Sequence, residues 1–505
     1  MRKFTIVLCV LFVFIFSSVI HAQDNLSLIR VSYNTAKTQN PPEGALKSTL
    51  EELEKEAVQA VSENDLAKAE FLYQKGTFLV RGGNWTKEKA FEYSIKVTPE
   101  RYYIDPINST KLLFSQKTEP DLKLGGQAKV VISLFKRTGR NEEKMNFSQS
   151  DVDLPPVFTD EPSDITLSFA NFVNGYFELR SVFIDSDGNE ITRKSVFLTL
   201  IPGLDSKITK LENLISRADK MWIGKREDLI DLLPTANYTL QLLDKAPDRR
   251  PININDKMEN TLDLLESILE GRNPVKGRSG NFQLAYVFPE TGELLPYRVF
   301  VPSDYDDNKQ YPVIVALHGL GADESSFFTS YGGRLIELAE EHGYIVVGPL
   351  GYRKDGFYGV SFGSRPKPYD GYGQNDVFYV IDRVLKDYNV DQDRMYLMGH
   401  SMGGYGSWYL ASEKPEMFAA IAPIAGGGSP LILNNILHVP EIVVHGDADP
   451  TVSVESSRQM VETAKRLGIE VEYYEIKGGN HMNIVVPYLD EIVEFFNNHK
   501  RAVRK

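Results

Sequence analysis

The stretch Arg394-Met395-Tyr396-Leu397-Met398-Gly399-His400-Ser401-Met402-Gly403-Gly404 decides the fold of the C-terminal half. It begins as a short apolar run typical of a buried strand, and the residues that follow it have the pattern of a helix. A sharp strand-to-helix reversal needs glycines at positions 399 and 403, because side chains there would collide. Such a turn holds the Ser401 hydroxyl clear of the sheet, so the sequence predicts a nucleophilic serine.

Further apolar runs flank this stretch between residue 280 and the C-terminus, separated by helix-length amphipathic segments. They occupy residues 312–317, 344–347, 418–424, 441–444 and 471–474. Short, mostly apolar runs that alternate with helices are typical of a parallel sheet covered on both faces. Ligands of such sheets bind at the carboxyl ends of the strands, so we expect the chemistry at that edge.

A serine hydroxyl needs a base, and in this kind of fold the order along the chain is serine, acid, histidine. Four histidines follow Ser401. His481, in the loop between the last strand and the final helix, is predicted as the base. His438 and His445 leave little chain for a separate acid-bearing strand end, and His499 lies on the predicted final helix.

The segment after the strand at 441–444 offers two aspartates, Asp447 and Asp449. One of them is expected to orient the imidazole of His481 and to stabilise its charged form. Position along the chain does not choose between them.

The oxyanion site is expected at the end of the first clear parallel strand, in Leu317-His318-Gly319-Leu320-Gly321. Glycines let the backbone approach a substrate oxygen closely. The amides of Leu320 and Met402 are the predicted donors, which would stabilise a tetrahedral oxyanion by a few kcal/mol. His318 is interpreted as a structural support of this loop.

Two loops are expected to border the site. The segment between Gly348 and Val377 is rich in aromatic residues, whose rings suit a phenolic acyl group or a sugar and suit ordinary packing equally well: Tyr352, Phe357, Tyr358, Phe362, Tyr369 and Tyr372. The usual lid position after residue 424 holds only about fifteen residues, which predicts a cleft open to a large substrate.

The first 22 residues have the layout of a secretory signal peptide, with two basic residues, an apolar run over 4–19 and a small residue at Ala22. We expect cleavage after Ala22 and export to the periplasm or the medium. A retained membrane anchor is the alternative, because the apolar run is nearly long enough to span a bilayer. The single cysteine, Cys9, lies in this leader, so the mature chain is expected to have neither disulfides nor thiolate sites.

Hydrophobic periodicity divides the rest of the chain. The spacing predicts a mainly helical region over 23–110, a β-sandwich-like domain over 111–203, a helical connector over 204–274 and an α/β domain over 275–505. The Gly-, Pro- and Arg-rich segment 271–280 is the strongest boundary signal. The acidic stretch from Asp185 to Glu190 lies between two predicted strands and is interpreted as a hairpin turn, with no metal assigned there.

Charge excludes some partners. Loss of the two basic residues of the leader takes the formal net charge from −13 to −15. So acidic a chain without basic clusters is not expected to bind nucleic acid or, after cleavage of the leader, a membrane surface. The sequence leaves the oligomeric state open.

From about Phe282 to the C-terminus the chain resembles a group of α/β-hydrolases. The group comprises relatives of dienelactone hydrolase, bacterial feruloyl and acetyl esterases, polyhydroxybutyrate depolymerase-like enzymes and the so-called predicted peptidases. The resemblance rests on the serine motif and on Pro296-Tyr297-Arg298-Val299-Phe300-Val301-Pro302, Tyr311-Pro312-Val313-Ile314-Val315-Ala316-Leu317-His318-Gly319, Asp376-Val377 and Phe418-Ala419-Ala420-Ile421-Ala422-Pro423-Ile424.

This resemblance implies an α/β-hydrolase fold and a serine esterase that works through an acyl-enzyme on Ser401, without cofactor or metal. The implied substrates are carboxylic esters, including acyl groups on polysaccharides. In similar hydrolases the aspartate just before the next helix holds the histidine, which favours Asp449 and leaves Asp447 to shape the loop.

Two other functions stay open. One is a serine peptidase similar to prolyl oligopeptidase, although residues 23–270 do not have the pattern of the propeller that such enzymes use. The other is a non-catalytic glycan-binding surface protein built on a hydrolase scaffold.

Overall fold

The structure is a computed structural model. It describes residues 26–116, 129–139, 141–147, 151–153, 163–185, 187–245, 253–360 and 371–501. The predicted leader, residues 1–22, lies outside the described residues. The chain divides into two compact units, Met1–Gly271 and Arg272–Lys505. Among the described residues, no helix has both the length and the hydropathy needed to cross a membrane.

The N-terminal unit begins with helices. They are α1 (26–39), α2 (Gly44–Ser62), α3 (Leu66–Val80) and α4 (Lys87–Ser94). The apolar spacing over 45–80 matches α2 and α3, whose Leu50, Ala57 and Leu72 are buried in a shared core. The side chains of Asp65 and Thr86 cap α3 and α4, because each accepts a hydrogen bond from a free amide of the first turn.

Two sheets follow and form a sandwich. The first has the order β1 (Ile95–Pro99), β3 (Ser109–Gln116), β7 (Ser163–Ser168). The second has the order β2 (Tyr103–Ile104), β9 (Glu190–Leu200), β8 (Gly175–Ile184), β4 (Lys129–Thr138), β5 (Asn141–Lys144), with β6 (Asp151–Asp153) paired to β4. Side chains of both sheets, such as Leu112 and Leu198, share one core.

The first strand starts at Ile95, earlier than the boundary at 111 that the sequence predicts. The helix α4 runs directly into β1, so no polar linker marks the change in the sequence. Between β8 and β9 the carboxylate of Asp185 accepts hydrogen bonds from the amides of Asp187 and Asn189, at 2.9 and 2.8 Å. The acidic stretch thus closes a tight turn between paired strands.

In the described part of this unit the sheets are followed by the α-helices α5 (Leu204–Trp222), α6 (Glu227–Ile230), α7 (Leu233–Gln241) and α8 (Ile254–Leu269). They lie within the segment 204–274 that the sequence predicts as helical.

The C-terminal unit is built on an eight-stranded sheet with the order β10-β11-β13-β12-β14-β15-β16-β17. Its strands are β10 (Gly280–Val287), β11 (Leu294–Val301), β12 (Tyr311–Leu317), β13 (Ile345–Pro349), β14 (Val390–His400), β15 (Ala420–Ile424), β16 (Glu441–Gly446) and β17 (Val471–Ile476). The pairs from β13 to β17 are parallel, and β10 and β11 extend the sheet as an antiparallel hairpin.

The helices of this unit are α9 (Ser326–Thr329), α10 (Arg334–His342), α11 (Tyr372–Asp387), α12 (Met402–Glu413), α13 (Val454–Leu467) and α14 (Leu489–Asn497). Buried sheet residues such as Val346 and Tyr396 form one core with Leu335 of α10 and Phe496 of α14. A mostly parallel sheet with helices packed on it is the α/β-hydrolase fold predicted from the sequence, and it brings the ends of β12, β14, β16 and β17 to one edge.

Candidate active site

Ser401 occupies a strained turn between β14 and α12. Its φ and ψ are 57° and −117°, a conformation that L-residues rarely adopt, and its amide donates to the carbonyl of Ile424 at 2.8 Å. A Cβ on Gly399 would lie 2.3 Å from the Gly403 oxygen, and one on Gly403 would lie 2.1 Å from the Leu317 oxygen. The two glycines are therefore required by close backbone contacts, as the sequence pattern predicts.

His481 and Asp449 form a hydrogen-bonded pair. The Nδ1 of His481 lies 2.7 Å from the Oδ2 of Asp449, and the Oδ1 accepts from the amides of Thr451 and Val452 at 2.8 and 3.0 Å. Burial alone would raise the pKa of Asp449, but the hydrogen bonds from His445 and His481 outweigh it and hold the pKa well below its usual range. Asp449 is thus a buried carboxylate that faces the imidazole.

Asp447 has a different partner. Its Oδ1 accepts a hydrogen bond from the amide of Gly478 at 2.6 Å, and the residue is exposed. It ties the loop after β16 to the loop that carries His481. Of the two aspartates that the sequence offers, the structure brings Asp449 to the histidine and Asp447 to the backbone.

His400, the residue before the serine, contacts His481 directly. Its Nε2 lies 2.7 Å from the carbonyl oxygen of His481, its Nδ1 lies 2.9 Å from the hydroxyl of Tyr331, and the two imidazole centroids are 4.7 Å apart. Burial, with the nearby charge of His481, lowers the pKa of His400 to about 3. A neutral ring that donates from Nε2 and accepts at Nδ1 satisfies both contacts. Sequence reasoning missed this role, since a lone histidine inside a glycine turn gives no sign of its partner.

The loop after β12 runs alongside the serine. A Cβ on Gly319 would lie 3.5 Å from the Cβ of Ser401. The amides of Gly321 and Ala322 are engaged with the carbonyls of Lys354 and Gly319, whereas the Leu320 amide donates to no group in the described part of the chain. Met402 is the first residue of α12, so its amide has no acceptor within the helix. The two amides that the sequence predicts as oxyanion donors thus have no acceptor among the described residues.

His318 supports this loop through contacts between its ring nitrogens and backbone carbonyls. Its Nδ1 and Nε2 lie 2.8 and 2.7 Å from the carbonyl oxygens of Gly319 and Leu350, and the residue is buried. The hydroxyl of Tyr358 donates to the carbonyl of His318 at 3.1 Å. These contacts give His318 a structural position, away from solvent.

The aromatic loop is largely packed. Tyr352 and Tyr358 are buried, and Tyr372 lies against Tyr352 with ring centroids 5.0 Å apart. The buried carboxylate of Asp376 accepts hydrogen bonds from the amides of Gly351 and Tyr352 at 2.5 and 3.0 Å. These bonds anchor the start of the loop. Of the two uses left open for these aromatics, Tyr352 and Tyr358 serve packing. Phe362 and Tyr369 lie outside the described residues.

The segment between β15 and β16 forms only a short 3-10 helix, Pro430–Asn435. Two large apolar side chains near this edge of the sheet face solvent, Leu431 at 79% and Met482 at 57% exposure. Among the described residues, no group of histidines and acidic side chains is arranged to hold a metal ion.

Residues 289–459 match the family described as putative esterase. The chain is 34% identical over 136 residues to dipeptidyl-peptidase 5 of Porphyromonas gingivalis, covering 27% of this chain and 19% of that protein. It is 29% identical over 167 residues to a bifunctional acetylxylan esterase/xylanase of Neocallimastix patriciarum, covering 32% and 23%. With feruloyl esterase B of Neurospora crassa the identity is 31% over 114 residues, covering 23% and 38%.

In each case the chain spans less than half the length of the relative it matches. Among solved structures, the crystal structure of a thermostable esterase aligns at 20% identity with a TM-score of 0.42, covering 81% of this chain and 100% of that one. The sheet order and the strained serine turn give the C-terminal unit an α/β-hydrolase fold, and residues 289–459 of this unit match the putative esterase family.

Proposed function

We propose that the C-terminal unit hydrolyses carboxylic esters through an acyl-enzyme on Ser401, with His481 as the base and Asp449 as the carboxylate of the triad, which orients His481. One observation carries the proposal: the 2.7 Å bond between His481 Nδ1 and Asp449 Oδ2, formed in the loops that end beside the strained Ser401 turn. A carboxylate that accepts the hydrogen bond from Nδ1–H leaves Nε2 unprotonated and able to take the proton of the serine hydroxyl.

The reaction proceeds in two halves. Ser401 Oγ attacks the ester carbonyl carbon while His481 Nε2 takes its proton, and the amides of Leu320 and Met402 stabilise the oxyanion. The tetrahedral intermediate collapses, the C–O bond to the alcohol breaks, and the alcohol leaves with the proton from His481. Water then attacks the acyl-enzyme by the same route and releases the carboxylic acid.

We propose acyl groups on polysaccharides, acetyl or feruloyl, as the substrates. The relatives named acetylxylan esterase and feruloyl esterase B support this choice. The short segment between β15 and β16 also supports it, because a cleft without a long lid admits a polymer. Exposed Leu431 and Met482 would offer apolar contacts at the rim.

A peptidase is the second candidate, because one relative is named dipeptidyl-peptidase 5. The two candidates share the nucleophile and differ in the bond that is cleaved. Residues 23–505, assayed side by side with p-nitrophenyl acetate, methyl ferulate and peptide anilides, separate them. Hydrolysis of the two esters with no anilide cleavage is the expected result, and cleavage of anilides alone would overturn the choice.

Labelling with a fluorophosphonate probe tests the nucleophile. The wild-type chain is expected to label, and Ser401→Ala is expected to lose the label and at least about 10³-fold in kcat. Ser412→Ala is the matched control, since its hydroxyl only donates to the Tyr409 carbonyl within α12. No labelling of the wild type would favour a non-catalytic glycan-binding protein, and equal labelling of Ser401→Ala would mean that another residue reacts with the probe and would reject Ser401 as the nucleophile.

We also propose that the chain is exported and loses its leader after Ala22, on the strength of the basic, apolar and small residues that precede this position. N-terminal sequencing of the protein recovered from the periplasm or medium is expected to begin at Gln23. A start at Met1 in a membrane fraction would identify a retained anchor instead.

A further inference from the structure

A second histidine contacts the carboxylate of Asp449. His445, the penultimate residue of β16, is completely buried, and its Nε2 lies 3.4 Å from Asp449 Oδ2 and 3.1 Å from the carbonyl oxygen of Val452. Both of these atoms can only accept hydrogen bonds. The Nε2 of His445 must therefore carry a hydrogen, which lies between the carboxylate and the carbonyl.

The opposite edge of the ring is also fixed. The Nδ1 of His445 lies 2.7 Å from the hydroxyl of Ser457 in α13, and this hydroxyl is also 3.0 Å from the carbonyl oxygen of Gly426. Ser457 is completely buried, so the imidazole has one orientation. The ring is thus held by Ser457 of α13 on one side and presents a donor to Asp449 on the other.

Asp449 consequently receives donors on both oxygens. Oδ1 accepts hydrogen bonds from the amides of Thr451 and Val452, and Oδ2 accepts them from the imidazoles of His481 and His445. Without His445, Oδ2 would be constrained by His481 alone, and only the two amide bonds to Oδ1 would oppose a small rotation of the carboxylate about its Cβ–Cγ bond. A carboxylate that is misdirected by even a small rotation would hold the imidazole less well, and so its effect on the transition state would fall.

We infer that His445 is a positioning residue, which holds the Asp449 carboxylate so that Oδ2 faces His481. This inference rests on the proposed function, in which Asp449 and His481 act together on Ser401. It predicts that the hydrogen on Nε2, and not the presence of a ring, is what the site needs.

The test replaces His445 with two amide side chains of different length. In His445→Gln the amide nitrogen reaches the place of Nε2 and can still donate to Asp449. In His445→Asn the amide reaches only the place of Nδ1, beside Ser457. Ester hydrolysis by His445→Asn is expected to show a kcat about 10- to 100-fold lower with KM within about twofold, the cost of losing a hydrogen bond to a charged group. His445→Gln is expected to keep kcat within about fivefold.

His438→Gln is the control, because His438 bonds the carbonyl of Pro415 at 3.0 Å and lies before β16. It is expected to match the wild type. Equal loss in the Asn and Gln variants, no loss in either, or a rise in KM instead of a fall in kcat would each overturn the inference, since a purely structural role does not depend on which nitrogen is kept.

A proton NMR measurement separates this inference from the proposed function. The hydrogen between His481 Nδ1 and Asp449 is expected to give a strongly downfield resonance, whose detection needs no substrate. It is expected to persist in His445→Gln and to shift or disappear in His445→Asn, even if the wild type hydrolyses none of the esters tried. An unchanged resonance in His445→Asn would reject the role of His445 and leave the ester proposal standing.

Discussion

The imidazole of His400 donates from Nε2 to the carbonyl oxygen of His481 at 2.7 Å. The residue that precedes the candidate nucleophile therefore holds the main chain of the candidate base. His481 lies on a loop, and two contacts fix it there: this backbone bond and the side-chain bond to Asp449. Because His400 ends β14 and Ser401 follows it, the distance between serine and histidine is set by the rigid sheet and not by the loop alone.

Replacing His400 with leucine is expected to lower kcat about 10- to 100-fold, with a smaller effect on KM, because His481 loses a fixed main-chain position. Tyr331→Phe is the milder comparison, since it removes only the hydroxyl that faces His400 Nδ1. Steady-state kinetics on p-nitrophenyl acetate measures both. Equal kcat in His400→Leu and wild type would show that the loop positions the base without this bond.

The buried neutral state of His400 also predicts an acid-sensitive fold. Burial lowers the pKa of His400 to about 3, whereas an unfolded histidine titrates near pH 6.5, so the unfolded chain binds the additional proton between these values. The stability that this group contributes is fully present above about pH 6.5 and falls by about 3 kcal/mol at pH 4. Urea unfolding at several pH values is expected to show a smaller loss between pH 7 and pH 4 in His400→Gln.

The sequence predicts the sheet and the serine turn well, because both follow from local patterns. The runs at 312–317 and 441–444 lie on strands of the parallel sheet, and the run at 344–347 begins one residue before its strand. The glycines around Ser401 meet backbone atoms at distances that exclude a side chain. Chain order together with the predicted strands and helices also selects His481, which the structure brings to Asp449.

Contacts between distant segments were not readable in the same way. The partner of His400 lies 81 residues further along the chain, and the partners of His445 lie on the loop after β16 and on α13. No local spacing in the sequence encodes such pairs. The antiparallel hairpin of β10 and β11 is not predicted from the sequence, because three consecutive residues are buried in each strand, Leu284–Tyr286 and Leu295–Tyr297, and the alternation is weak. The choice between Asp447 and Asp449 likewise depends on which carboxylate the loop turns inward.

The two aspartates after β16 provide a matched pair. Asp449→Asn is expected to lower kcat/KM by roughly 10³- to 10⁴-fold, because an amide favours the wrong tautomer of His481. Asp447→Asn is expected to change it less than about tenfold, since its carboxylate contacts the Gly478 amide and not the imidazole. Kinetics on one ester substrate compares them, and a larger loss in Asp447→Asn would reverse the assignment.

Glu441, the first residue of β16, is a buried carboxyl group with one partner. Trp408 Nε1 donates to its Oε2 at 3.1 Å, and Oε1 has no hydrogen-bond partner among the described residues. Burial raises the pKa of Glu441 to about 8, far above the value of an unfolded glutamate, so the folded state binds the additional proton between about pH 4.5 and pH 8. The protein should therefore lose stability as the pH rises through this range.

Glu441→Gln keeps the volume and the acceptor for Trp408 and removes the charge. It is expected to stabilise the C-terminal unit by roughly 2–4 kcal/mol at pH 8, which raises Tm by roughly 5–10 °C, and to have little effect at pH 5. Thermal unfolding at the two pH values measures the difference. A similar shift at both would mean that the carboxyl is not protonated at low pH in the folded chain.

Gly403 is the position where a single methyl group should do the most harm. Its Cβ would lie 2.1 Å from the backbone oxygen of Leu317, which belongs to β12 and cannot move without disturbing the adjoining sheet and the loop that carries Leu320. Gly428→Ala is the control, because the added Cβ would meet the flexible end of Met460 at 3.3 Å and the end of Ile432 at 3.6 Å, and no backbone atom as close. Gly403→Ala is expected to cost at least about 3 kcal/mol, against less than about 1 kcal/mol for Gly428→Ala. Because the same shift displaces the Leu320 amide from Ser401, the surviving folded fraction of Gly403→Ala should also label poorly with the fluorophosphonate probe. Full labelling at wild-type stability would show that the turn tolerates a side chain there.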